Sequence, residues 1–191
     1  MLKLQYDKTK EDLPIEVIKN TDKYLQRLQN ISWLTPSKNL TRKEIEDQVA
    51  VVLKAFDVTS GVDLIKIENK EIWEEATSAQ FQKKWLKKWD SKWESLAKIV
   101  GEKGLGEAEY LVWVASRNAA WDKAVQNPWI VNWTAAWIGG ICGVEVLLEK
   151  PGAFHELLKL WEMGVFPVGI LKKTKKFTVY VPFSNLEFPN V

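Results

Sequence analysis

The sequence predicts a mainly α-helical, single-domain protein (residues 1–191) in which several helices form a bundle around a buried central helix at 128–149. Three observations predict this fold. Apolar residues recur at helical spacing through most of the chain between residues 14 and 163. The segment WIVNWTAAWIGGICGVEVLL is apolar nearly all round, as is typical of a helix enclosed by other helices. Only the segment 166–182, FPVGILKKTKKFTVYVP, has two β-rich runs around a turn, which predict a C-terminal hairpin.

The first two helices are predicted from apolar spacing and from their start signals. A helix is expected over 14–30, because proline is acceptable in a first helical turn and Pro14 precedes the apolar positions. Thr41 and Glu44 have the spacing of a capping box, which predicts a second helix over 41–56.

Two short segments of the N-terminal third are expected to be extended. Residues 2–7, LKLQYD, form a strand or an extended arm, and as a strand they could extend the hairpin. Residues 62–69, VDLIKIEN, form a short strand or lead into another helix. Residues 1–60 could also dock as a semi-separate helical part.

The later helices follow from the same signals. Thr77 and Gln80 repeat the capping-box spacing and predict a helix through Val100. Asn127 and Pro128 predict the start of the central helix, because asparagine caps a helix and proline suits its first position. Two further helices are predicted over 107–126 and 153–163.

Composition excludes several classes of protein. With 46% apolar and 27% charged residues, the chain is not expected to be disordered. The single cysteine, Cys142, excludes an internal disulfide and a multi-thiolate zinc site, and the single histidine excludes two-histidine metal motifs. We therefore expect no metal ion and no cofactor. That histidine, His155, is expected on the solvated side of its helix, and Cys142 is expected to act as a small apolar filler.

The location of the protein is predicted from the search for a signal peptide and for a membrane-spanning segment. Residues 1–30 contain no apolar run that would serve as a signal peptide, so a cytoplasmic location is expected. The segment 129–148 has the length of a membrane span, about 20 residues. It contains Asn132, Thr134 and Glu145, however, and a carboxylate within a span costs roughly 2.5–3.5 kcal/mol. We therefore expect no membrane span.

The string KKWLKKWDSKW, residues 83–93, alternates lysine and tryptophan. On a helical wheel at about 100° per residue, Trp85, Trp89 and Trp93 lie on one face and the lysines lie mostly on the other. The helix is then either an ordinary amphipathic helix or part of a surface that binds a polyanion. A formal net charge of +2 does not itself imply such a partner, and 24 lysines against 3 arginines argue against base-specific recognition. The lysines of the polyanion interpretation are Lys83, Lys84, Lys87 and Lys88 with the hairpin residues Lys172, Lys173, Lys175 and Lys176.

The central helix has tryptophans on one face and small residues on the other. Trp129, Trp133 and Trp137 are spaced by four, opposite Gly139 and Gly143. Small residues permit close approach of another helix, room for a ligand or a bend in the helix.

Polar residues on the two most apolar helices form a candidate site. Arg117 and Glu145 fall among apolar positions, and a buried charge needs a partner. One interpretation is therefore an Arg117–Glu145 ion pair that fixes helix register. The other is a polar cleft with tryptophan walls that binds a ligand or partner. Its residues would be Trp113, Arg117, Asn118, Trp121, Asp122 and Glu145.

The segment LIKIENK ends in Glu68-x-Lys70, with Asp57 and Asp63 upstream and Glu44 on the preceding helix. This string resembles the core of the PD-(D/E)xK nuclease family. The resemblance implies a metal-dependent nuclease whose acidic residues hold a divalent cation and whose lysine assists the attacking water. The string departs from the family pattern, because no proline precedes either aspartate and the chain becomes helical directly after it.

The leading hypothesis is a non-enzymatic, intracellular binding protein that acts through a tryptophan-rich surface or cleft. A protein partner or a second copy of the chain is favoured over a small molecule. The alternative is binding of nucleic acid or another polyanion through the 83–98 helix and the hairpin lysines. A nuclease using Glu68 and Lys70 is the third hypothesis.

Overall fold

The computed structural model describes residues 13–31, 33–34, 37, 39–68, 70–124, 129–149 and 151–182. This part of the chain contains seven helices and three strands, so the prediction of a mainly α-helical fold is confirmed. The helices are α1 (Ile15–Asn30), α2 (Arg42–Ala55), α3 (Lys70–Thr77), α4 (Lys83–Glu102), α5 (Gly106–Ala124), α6 (Trp129–Leu147) and α7 (Ala153–Glu162). The strands are β1 (Val62–Ile67), β2 (Phe166–Ile170) and β3 (Phe177–Pro182).

The capping box predicted at Thr41 begins α2. The Thr41 hydroxyl accepts a hydrogen bond from the Glu44 backbone N–H at 3.3 Å. The Glu44 carboxylate accepts one from the Thr41 backbone N–H at 2.7 Å. Two N–H groups that lack partners within the helix are thereby satisfied, as the local sequence predicts. The predicted start of the central helix at Asn127 and Pro128 lies outside the described residues.

The helix predicted from Thr77 to Val100 is wrong at its start. Thr77 ends α3, and α4 begins only after Gln82. The residues between these helices pair with the hairpin instead: the Gln82 N–H donates to the Ile170 carbonyl at 2.8 Å, and Phe81 forms a β-bridge with Leu171. This non-local pairing holds the backbone extended and overrides the local capping signal.

The predicted hairpin forms part of a three-stranded sheet in the order β1-β3-β2. Strand β3 pairs antiparallel with β2 and parallel with β1. Parallel strands need a long crossover, which helices α3 to α7 supply. The third strand is therefore the VDLIKI segment, whereas residues 2–7 lie outside the described part of the chain.

A continuous cluster of buried side chains joins α1 and α2 to α4, α6, α7 and the sheet. Trp85 belongs to this cluster: it is 2% exposed, and its ring centroid lies 4.8 Å from that of Phe56 and 5.4 Å from that of Phe177. Trp89 and Trp93 are half-buried and pack against the same cluster. The tryptophans of KKWLKKWDSKW are therefore the core face of an amphipathic helix.

Helices α5 and α6 approach closely, because glycines of α6 lie directly against side chains of α5. A Cβ atom added at Gly139 would lie 3.0 Å from the Ala120 Cβ. One added at Gly143 would overlap the Ser116 hydroxyl and lie 3.0 Å from the Val112 side chain. Of the three interpretations of the small residues, close helix–helix packing is the one that the structure shows.

No helix in the described ranges combines the length and the apolar character needed to cross a bilayer.

Replacing Gly143 by alanine tests this packing. Overpacking typically costs about 1–3 kcal/mol, whereas removing a helical glycine gains about 0.5–1 kcal/mol. We expect Gly143→Ala to lower the free energy of unfolding by about 1–2 kcal/mol in urea denaturation. The matched control is Gly101→Ala in α4, where a Cβ meets nothing within 4 Å. That variant should be stabilised, and equal effects at the two glycines would contradict the close approach.

Candidate functional site

Five tryptophans from three helices form a continuous series of ring contacts, which we call the tryptophan ladder. Adjacent ring centroids lie within the range of 4.5–7 Å that aromatic pairs favour. The distances are 5.6 Å for Trp93–Trp113, 5.5 Å for Trp113–Trp137, 6.4 Å for Trp137–Trp133 and 6.4 Å for Trp133–Trp121.

Helix geometry and glycine place these rings. Trp133 and Trp137 are four residues apart on α6, and residues at this spacing share a helix face. The Trp113 ring of α5 lies directly on Gly140, where a Cβ would be 3.0 Å from the indole. The absence of a side chain at residue 140 therefore lets α5 and α6 bring their tryptophans together.

The ladder extends from the core to the surface. Trp93 is half-buried and packs against the main core cluster. Trp113 and Trp121 are also half-buried, whereas Trp133 and Trp137 are 43% and 42% exposed. Helix α6 thus presents two adjacent tryptophan rings to solvent.

Of the six residues predicted to line a cleft, Trp113 and Trp121 belong to the ladder. Arg117 lies on α5 one turn from each of them, and Asn118 follows it; both are half-buried. The side chain of Asp122 lies outside the described part of the structure. The sequence does not identify Trp93, Trp133 or Trp137 as residues of this site. The spacing by four of Trp133 and Trp137 on α6 does indicate that these two share a helix face. Trp129 continues the same spacing, but its side chain lies outside the described part of the structure.

Glu145 is not part of this surface, and its predicted ion pair with Arg117 is wrong. Its carboxylate accepts backbone hydrogen bonds from Gly152 at 3.0 Å, Phe154 at 3.3 Å and His155 at 2.9 Å. The first N–H groups of α7 need acceptors, and its N-cap residue, Gly152, has no side chain to supply one. Glu145 caps α7 from α6 instead.

A polar cluster surrounds this cap, between α1 and α7. The Arg27 guanidinium donates two hydrogen bonds to the Glu162 carboxylate and a third to His155 Nε2. The Tyr24 hydroxyl contacts the Gly139 carbonyl at 3.5 Å. His155 is thus half-buried and hydrogen-bonded, and its predicted place on the solvated face is wrong.

The cluster borders an open cavity of about 570 Å³. Burial raises the pKa of the Glu145 carboxyl to about 7, although the three backbone donors favour its ionised form. Burial lowers the pKa of His155 and raises that of the Cys142 thiol. The Cys142 thiol donates to the Phe154 carbonyl at 2.9 Å. A neutral thiol and a histidine held by Arg27 are a structural arrangement and not an activated nucleophile.

All eight lysines of the polyanion interpretation reach the surface. Lys88 is half-buried and the others are exposed: Lys83, Lys84, Lys87, Lys172, Lys173, Lys175 and Lys176.

The nuclease-like string gains no support from its surroundings. Glu68 follows β1 and forms an ion pair with Lys66 at 3.4 Å. Asp57 pairs with Lys88, and the side chain of Lys70 is not described. In the ranges that the structure covers, no three His, Cys, Asp or Glu side chains are grouped closely enough to hold a metal ion.

Comparisons of the chain with protein-family models, with curated proteins and with solved structures find no match.

The Glu145 cap predicts a pH dependence of stability. Its pKa is about 7 in the folded protein against an ordinary value of 4.5, so the folded state binds this proton more tightly. The resulting stability is fully present below about pH 4.5 and is lost as the pH rises to about 7, by up to about 3 kcal/mol. Glu145→Gln does not titrate. In urea denaturation its stability relative to wild type should therefore rise by up to about 3 kcal/mol between pH 4.5 and 7.5.

The control for this experiment is Ser95→Ala, which replaces an exposed residue of α4 that does not titrate. Its difference from wild type should not vary with pH. A pH-independent difference for Glu145→Gln would show that Glu145 does not titrate as proposed.

Proposed function

We propose that the protein is a non-enzymatic binding protein that holds a protein partner through the exposed end of the tryptophan ladder. The observation that carries this proposal is the exposure of Trp133 and Trp137, 43% and 42%, within a continuous series of ring contacts. Their i, i+4 spacing gives a partner two adjacent aromatic rings.

The free energy available at these two rings is substantial. A tryptophan buries up to about 250 Å², and apolar burial contributes roughly 25 cal/mol per Å². Covering the exposed part of each ring would therefore contribute on the order of 2 kcal/mol. Residues that contribute this much are the hot spots of protein interfaces.

The rings are also held in place before a partner binds. Trp137 packs against Trp113, which rests on the α6 backbone at Gly140. Rigid anchors lose little conformational entropy on association, which favours affinity. Arg117, one turn from Trp113 and Trp121, adds a residue type that hot spots favour.

The character of the surface favours a macromolecule over a small ligand. Small-molecule sites enclose most of their ligand in a concave pocket. Trp133 and Trp137 instead project from the outer face of a helix, which suits the apolar patch of a folded protein or an amphipathic helix.

Site-specific photocrosslinking tests the proposal. A benzoylphenylalanine residue at position 133 or 137, in cells of the source organism, should give a discrete crosslinked product. The matched control position is Tyr110, which is 65% exposed on α5 and is not one of the ladder tryptophans. A crosslinked dimer would identify the partner as a second copy of the chain.

The partner so identified is then purified and its affinity measured by calorimetry. Trp133→Ala with Trp137→Ala should weaken binding at least about 100-fold, as expected for two hot-spot tryptophans. Tyr110→Ala should leave the affinity unchanged. Equal crosslinking at all three positions, or unchanged affinity in the double variant, would contradict the proposal.

A further inference from the structure

The two lysine clusters, more than 80 residues apart in sequence, meet in the fold. The Lys172 N–H donates to the Gln80 carbonyl at 2.8 Å, and the Gln82 N–H donates to the Ile170 carbonyl at 2.8 Å. These bonds place the turn between β2 and β3 beside the first turn of α4. The same pairing that shortens α4 therefore joins the hairpin lysines to those of the helix.

The turn at residues 57–61 connects the clusters a second time. Lys84 lines a surface cavity together with Ser60 of this turn. The side chain of Lys176 lies over Gly61, with its Cγ 3.6 Å from the position of a Cβ there. Lysines of α4 and of the hairpin thus flank one turn. We call the whole set the lysine surface: Lys83, Lys84, Lys87, Lys88, Lys172, Lys173, Lys175 and Lys176.

Most of these lysines form no ion pair within the described part of the chain. Lys88 pairs with Asp57, and Lys173 pairs with Glu75 at 2.7 Å. The Lys172 ammonium donates to the Gln80 side-chain oxygen, a neutral acceptor, at 3.3 Å. Among the described residues, six of the eight lysines form no ion pair with a carboxylate.

The lysines of α4 also oppose the polarity of their own helix. The N-terminus of a helix carries partial positive charge and favours acidic residues. The first turn of α4 has no acidic residue and begins Lys83-Lys84, and none of its N–H groups donates to the side chain of its N-cap, Gln82. This arrangement lowers the stability of the helix, and no local contact offsets that effect. Such unfavourable arrangements are typical of functional surfaces. A bound anion would remove this unfavourable electrostatic energy.

We propose that the lysine surface binds the phosphate backbone of a nucleic acid without reading its base sequence. Lysine presents a flexible point charge suited to phosphates, whereas bidentate recognition of bases uses the planar guanidinium of arginine. Neither lysine cluster, residues 83–88 or 172–176, contains an arginine. Several lysines on one surface match the repeated phosphates of a nucleic acid better than they match a single phosphate group.

The burial of α4 argues against a lipid surface. A peripheral helix that binds a membrane inserts its apolar face between the lipids. The apolar face of α4 is already covered: Trp85, Leu96 and Val100 are buried in the protein. The large apolar residues of α4 that stay exposed are Leu86 at 41% and Ile99 at 42%, which lie 13 residues apart and form no continuous apolar face.

Fluorescence anisotropy with labelled 20-base-pair DNA and RNA duplexes tests the proposal. We expect a dissociation constant of about 1–100 µM near physiological salt, and a logarithmic affinity that falls steeply with salt concentration. Two triple variants remove three charges each. The first replaces Lys83, Lys84 and Lys87 by glutamine, and the second replaces Lys172, Lys175 and Lys176 by glutamine. Each should weaken binding at least about tenfold at low salt and reduce the salt slope by about 2–3.

The matched control removes three exposed lysines elsewhere, Lys19, Lys23 and Lys103→Gln, and should bind like wild type. Trp133→Ala with Trp137→Ala should also bind like wild type, which separates this proposal from that of the tryptophan ladder. Circular dichroism checks that each variant is folded. The proposal is overturned if neither duplex binds, if the control loses as much affinity as the two test variants, or if only one cluster matters. Binding to vesicles containing phosphatidylserine but to neither duplex would assign the surface to lipid instead.

Discussion

The close approach of α5 and α6 is the constraint on which the rest of the structure depends. Gly139 and Gly143 leave no room for a side chain of their own against α5, and the Trp113 ring lies on Gly140. An alanine at any of the three would displace α5 or the Trp113 ring. The exposed tryptophans of α6 keep their contacts with α5 only while this spacing is maintained. The packing of small residues in the interior thus determines the geometry of an aromatic surface outside.

Each face of helix α6 makes a different set of contacts. Its glycines contact α5, its Glu145 carboxylate caps α7, and its Gly139 carbonyl faces Tyr24 of α1. The remaining face carries Trp133 and Trp137 into solvent. Because three faces are held by neighbouring helices, the fourth is rigid, and rigidity is what a surface with few but large contact residues requires.

The features that the sequence predicts correctly are those that depend on neighbours along the chain. The capping box at Thr41, the core face of α4 and the hairpin follow from spacings of a few residues. The errors arise where a distant segment supplies the partner. Phe81 pairs with Leu171 and breaks the helix predicted from Thr77, and Glu145 caps α7 because Gly152 offers no side chain.

In the candidate site, too, the sequence predicts what depends on neighbouring residues and not what depends on distant segments. Trp113 and Trp121 are recognisable from the pattern of α5, but which rings of α4 and α6 meet them depends on helix packing. The two lysine clusters are visible in the sequence, whereas their convergence depends on the bonds of Gln80 and Gln82 to the hairpin. Helical periodicity indicates the face on which a residue lies and not what lies opposite it.

The most direct test of the close packing of α5 and α6 beneath the tryptophan ladder is fluorine NMR of the protein labelled with 5-fluorotryptophan, with resonances assigned by single Trp→Phe variants. We expect large shifts on changing from H2O to D2O for Trp133 and Trp137, and negligible ones for the buried Trp85 and Trp161. In Gly143→Ala, the resonances of Trp113, Trp133 and Trp137 should move while that of Trp161 stays in place. Solvent shifts at Trp133 and Trp137 as small as at Trp161, or ladder resonances unmoved by Gly143→Ala, would contradict this packing.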